Sequence, residues 1–156
     1  MELTLNTTGV FKQKLVLGVD GVEYPITKKS VKLQEVYTLD IEGKVTEYTY
    51  KMGFSHYHFY ANQRLYDVGF GLTTTKIIVD DITFSVKKSN KKYCVLVNDT
   101  AVAVFDEYSL MKSSFKLTTS VESYYEYMID IFLIYHFATR IASISASNGA
   151  VIAATT

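Results

Sequence analysis

Four lysines crowd one short turn. In ITFSVKKSNKKYCVLV, Lys87, Lys88, Lys91 and Lys92 flank Ser89-Asn90. Ammonium groups gathered on a hairpin tip suit anionic headgroups, each worth up to about 1 kcal/mol at a charged membrane surface. The competing reading is a solvated tip whose lysines discourage edge pairing. The cluster contains no Arg, the better phosphate fork. Lys28, Lys29 and Lys32 form a looser group with the same two readings.

Three further constellations have types and spacings that bear on chemistry. His56 and His58, in HYHFY, stand at i and i+2 and share one face of a strand, a spacing that can chelate a metal. The sequence offers no evident third ligand, so no metal and no cofactor are expected. Tyr57, Phe59 and Tyr60 lie in an aromatic segment that serves either as an interaction surface or as cross-strand packing. Glu126 and Asp130, four residues apart on a helix, form a carboxylate pair capable of acid–base work once burial separates their pKa values. No nucleophile or metal scaffold accompanies them, so a structural polar seam with His136 and Arg140 is favoured and no catalytic residue is expected. GFGL at residues 69–72 lacks the Lys-Ser/Thr ending and following helix of a phosphate loop. Its glycines are read as letting a strand bend.

The elements that must position these residues are mostly strands. The chain is rich in Tyr and Phe, with 13 and 9, and has a single Pro. Hairpins are expected around Asp20-Gly21, Glu42-Gly43 and Ser89-Asn90, and a turn at Asn98-Asp99, because these residues tolerate the positive φ angles of tight turns. Alternation places Tyr37, Leu39 and Ile41 on one face, and likewise Ile82, Phe84 and Val86. From Val121 to about Ile144 the period changes to that of a helix, with Ser120 as its N-cap. That helix is apolar around most of its circumference, which belongs inside a protein. Its longest run without a charge, Ile131 to Thr139, is too short for a membrane span. Asn148-Gly149 is read as the helix stop, with a closing segment over 149–156. The expectation is a single α+β domain over 1–156, mostly antiparallel β, forming a closed or nearly closed barrel of about 10–12 strands around one hydrophobic C-terminal helix.

The stretch YCVLVNDTAVAVFDEYSLMKSSFKLTTSVESYYEYMIDIFLIYHF, Tyr93 to Phe137, resembles the ending of the tubby C-terminal-like superfamily, which includes LURP-one-related and phospholipid-scramblase-like proteins. Ala103-Val104, Phe115 to Leu117 and Asp130 occupy the matching places, over roughly a third of the chain. The resemblance implies a helix threaded through a barrel of about twelve strands and an intracellular, membrane-associated or regulatory role. Eukaryotic tubby-like domains bind phosphoinositides through basic residues. No catalytic residue is carried over.

Sixteen basic residues balance sixteen acidic ones. A duplex-binding protein needs a basic excess, so no nucleic-acid partner is expected. A lone Cys94 permits no internal disulfide and fits a reducing compartment. Together with a start, MELTLNTTGVF, that lacks a basic-then-apolar leader, this gives a cytoplasmic expectation, with possible peripheral residence at a membrane. The leading functional expectation is a non-catalytic binding or regulatory module docking on anionic membrane phosphates through Lys87, Lys88, Lys91 and Lys92. The alternative is a protein-interaction or self-assembly domain using the Tyr-rich sheet surface. An enzyme with an open polar cavity near Glu126 and Asp130 ranks third. Oligomeric state is not legible.

Overall fold

The computed structural model of the chain describes residues 1–8, 14–53, 56–90, 92–106 and 114–155, with side chains described as far as Ser143. Twelve antiparallel strands run up and down in chain order: β1 (Glu2–Thr8), β2 (Lys14–Val19), β3 (Val22–Val31), β4 (Gln34–Ile41), β5 (Lys44–Met52), β6 (His56–Ala61), β7 (Arg64–Phe70), β8 (Thr74–Val79), β9 (Ile82–Ser89), β10 (Lys92–Val97), β11 (Thr100–Asp106) and β12 (Ser114–Thr119). β12 returns to β1, with Leu3 opposite Leu117 and Leu5 opposite Phe115, so the barrel is closed and has no free edge.

Turn chemistry follows the residues. Asp20-Gly21, Glu42-Gly43, Asp80-Asp81 and Asn98-Asp99 all hold positive φ at both positions, the backbone that matches strand twist in a two-residue hairpin. Lys92 pairs with Ser89, so Ser89 belongs to the strand and not to the Ser89-Asn90 turn expected from the sequence. The two hairpin patterns read from alternation also hold: Tyr37 and Leu39 are buried, as are Phe84 and Val86.

Twelve strands enclose more space than their own side chains fill, since about eight strands is the size that side chains close alone. A helix about 10–12 Å across occupies the remainder. A 3-10 turn (Glu122–Tyr124) leads into α1 (Tyr125–Thr155). Met128, Ile131, Phe132, Leu133, Ile134, Phe137 and Ala138 are buried against Leu3, Leu17, Phe59, Tyr66, Phe84 and Phe105 of the strands. Tyr37 stacks on Phe137 at 4.1 Å, and Phe105 meets Phe132 at 5.6 Å. Among the described residues, no helix is long and apolar enough to cross a membrane.

Three expectations for this helix are corrected. It does not start from a Ser120 cap: the 3-10 turn begins after Val121 without a side-chain cap, and the Tyr124 N–H donates to the Val121 carbonyl at 3.2 Å. The entry is held instead from outside, where the Met1 ammonium donates to the Thr119 carbonyl at 2.7 Å and to the Tyr125 hydroxyl at 3.3 Å. Nor does Asn148-Gly149 end it. The helical backbone continues through Thr155, and residues 149–155 belong to that helix rather than to a separate closing segment. Ala142, Ala146, Ala150, Ala153 and Ala154 favour that continuation, since Ala has the highest helix propensity.

Candidate functional site: the basic end of the barrel

An up-and-down meander sorts its turns into two ends, and the charges sort with them. The β2–β3, β4–β5, β6–β7, β8–β9 and β10–β11 turns share one end with Met1 and the start of α1. Asp20, Glu42, Asp80, Asp81 and Asp99 occupy these turns, and Glu122 and Glu126 begin the helix. Arg64 answers part of that charge, 3.4 Å from Asp80 and 3.5 Å from Glu126. The opposite end carries Lys14, Lys29, Lys32, Lys51, Lys87, Lys88 and Lys92, and α1 emerges there past Arg140. The balance of charge in the composition therefore conceals an acidic end and a basic end. The polarity also complements the helix macrodipole, positive at the N-terminus and negative toward the C-terminus.

Lys87, Lys88 and Lys92 are exposed at this basic end, while Lys91 lies outside the described residues. Lys87 faces outward opposite Cys94, and Lys92, opposite Ser89, is its diagonal neighbour on the same outer face. Lys88 alternates to the inner side of the rim, with its ammonium 5.9 Å from the Tyr93 ring. The looser group joins them. Lys32 sits at the tip of the β3–β4 hairpin, and Lys29 lies 3.9 Å from Glu47. Lys28 is held by Glu35 at 2.7 Å. Burial pushes the Glu35 carboxyl up, but bonds from Lys28 and the Tyr37 hydroxyl outweigh it and hold the group below the usual carboxylate range. Lys14 and Lys51 had no motif to mark them; only the strand count assigns them to this end.

Of the two readings of the aromatic segment, packing takes Tyr57 and Phe59. Phe59 is 1% exposed and packs in the core, so it is removed from any interaction surface. Tyr57 faces inward beside it and meets Phe70 edge-on at 5.6 Å. Tyr60 alone of the three faces outward, with the Lys51 ammonium 5.9 Å from its ring. Strand alternation forbids these three from sharing a face.

His56 and His58 do share the outer face, and β7 brings Asp67 between them. Its Oδ1 lies 3.5 Å from His56 Nδ1 and 3.6 Å from His58 Nε2. Among the described residues no group of three or more His, Cys, Asp or Glu is arranged to hold a metal ion. Gly69 lies beneath the imidazole of His56, where a Cβ would come within 3.1 Å of Nδ1, so close approach accounts for this glycine.

Glu126 and Asp130 separate in role. Asp130 is clamped by Tyr48 and Tyr66, whose hydroxyls donate to its two oxygens at 2.6 Å each. Burial pushes its carboxyl up by more than these bonds and Arg64 bring it down. Glu126 faces the acidic rim and meets Arg64. The pair is a seam between helix and strands.

Compared with known protein families, curated proteins and solved structures, the chain matches none.

Proposed function

We propose that this barrel is a non-catalytic binding or regulatory module that docks on anionic membrane phosphates through its lysine-rich end, as a peripheral protein of the cytoplasm. The observation that carries the reading is the segregation of charge: Lys14, Lys29, Lys32, Lys51, Lys87, Lys88 and Lys92 at one end, and the acidic turns at the other. A negative surface attracts the first and repels the second, which selects one orientation for the whole domain. The resemblance to tubby-like proteins supports the same reading.

Co-sedimentation with phosphatidylserine-containing vesicles, against phosphatidylcholine alone, tests it. Binding is expected only to the anionic vesicles and falls as salt rises. Replacing Lys87, Lys88 and Lys92 together by Glu weakens it by about 100-fold or more, at about 1 kcal/mol per charge lost. Equal binding to both vesicle types, or indifference to the triple replacement, overturns the reading.

A further inference from the structure

The basic end carries apolar side chains where turns normally carry polar ones. Leu33 occupies the second position of the β3–β4 turn with φ 67 and is fully exposed, at 106%. A left-handed backbone disfavours Leu, and such turns prefer Asn, Asp or Gly. The hairpins of the acidic end follow that preference with Asp20-Gly21, Asp80-Asp81 and Asn98-Asp99, and at the second position of Glu42-Gly43. Leu72, in the β7–β8 turn, is likewise exposed at 106%. Phe70, at the end of β7, and Met52, at the end of β5, are also exposed.

These tips are held in place. The Gly71 N–H donates to the Thr74 carbonyl at 2.8 Å across the Leu72 turn, and Val31 pairs with Gln34 across the Leu33 turn. Two Leu side chains are thus presented to solvent on short turns at one end of a closed barrel, with Lys32, Lys29, Lys51, Lys87 and Lys88 at the same end. A local preference broken without a packing return marks a functional position. Apolar tips set among ammonium groups match one surface in two layers, anionic headgroups outside and acyl chains beneath. The helix leaves the barrel here too, and downstream of Arg140 its residues carry no charge.

We propose that Leu33 and Leu72 insert into the acyl boundary of an anionic bilayer, so that the barrel stands on its basic end. This rests on the docking reading above and adds the inserted residues and the orientation. A protein partner would also cover apolar tips, but the ring of lysines favours the lipid.

The chain contains no Trp, so one introduced indole reports its own surroundings. Leu33→Trp and Leu72→Trp are made singly, with Val22→Trp, exposed near the acidic end, as the control. On phosphatidylserine vesicles with brominated acyl chains, Trp fluorescence at 33 and 72 is expected to shift blue and be quenched, and that at 22 to do neither. In parallel, Leu33→Ser with Leu72→Ser lowers vesicle partitioning by about 10-fold for each side chain, and the loss persists at high salt, where lysine attraction is screened. Vesicle-bound protein whose indoles at 33 and 72 stay unquenched overturns insertion while leaving docking intact. Failure to bind anionic vesicles overturns both. A blue shift that follows protein concentration without vesicles assigns the tips to a second copy of the chain and overturns insertion.

Discussion

The phenol of Tyr48 donates to Asp130 Oδ1 at 2.6 Å, joining β5 to the second turn of the enclosed helix. A carboxylate placed among apolar side chains is tolerable only when its oxygens are answered. Tyr66 answers the second oxygen from β7. The helix is thus fixed in rotation and height by a polar lock inside an otherwise apolar wall.

Tyr48→Phe removes one donor and leaves Oδ1 short of a partner. Unfolding by urea at pH 7 is expected to show a loss of about 1.5–3 kcal/mol, the range for hydrogen bonds to charged groups. The Asp130 carboxyl is raised by burial, so its contribution to stability is fullest below the unfolded carboxylate pKa and declines as pH rises through the folded value. The phenols oppose that decline by favouring the ionised form. The penalty for Tyr48→Phe is therefore larger at pH 7 than at pH 4, and a pH-independent penalty contradicts the assignment.

His136 responds in the opposite direction. Burial first, then the Arg140 charge, lower its pKa from 6.5 to about 4. Its ring lies 5.4 Å from Phe115 inside the core. A depressed value means stability is fully present above about pH 6.5 and is lost as pH falls through about 4. The shift corresponds to about 3 kcal/mol. Urea midpoints for wild type and His136→Phe at pH 7, 5 and 4 isolate this component. The difference between the two proteins should change with pH by about that amount.

Phe59 and Tyr60 are neighbours in sequence and opposites in consequence. Phe59→Ala empties a core position and should cost about 3–5 kcal/mol. Tyr60→Ala, on the outer face, should stay within about 0.5 kcal/mol. Thermal unfolding of both variants decides it; similar midpoints would contradict the facing of β6.

Gly149 lies within the helix. Gly149→Ala is expected to raise far-UV helical ellipticity and to gain up to about 1 kcal/mol of local helix stability. At a left-handed helix terminus the same replacement would destabilise. The sign of the change distinguishes a continuing helix from a stop.

The hairpins were legible because Asp-Gly, Glu-Gly and Asn-Asp turns carry their backbone requirement in the residues themselves. The helix was legible because Met128 to Ala138 is apolar around most of its circumference, broken only by Asp130 and His136, and such a helix has to be enclosed. The end of the helix was not. Asn148-Gly149 is a stop signal only when the backbone turns left-handed there, and the alanines around it favour continuation. The aromatic segment was left with two readings although alternation already separates its residues: in HYHFYA the outward positions are His56, His58 and Tyr60, and Phe59 falls between them. The basic end was legible only in part. KKSNKK is visible as a run, but Lys14, Lys32 and Lys51 join it through the parity of the strands, which exists only once all twelve are counted.

The pairing of Glu2 with Thr118 has a consequence for how the chain is made. The first strand waits for the last before its outer partner exists, and the segment that fills the interior is synthesised later still. Until that segment arrives, the emerging sheet presents Leu5, Leu17, Phe59 and Phe84 with nothing to cover them. Such long-range closure is slow and exposes sticky surface along the way. The nascent protein should therefore lean on chaperones at the ribosome, and its yield should fall more steeply than that of a helical bundle of equal length when translation outpaces them.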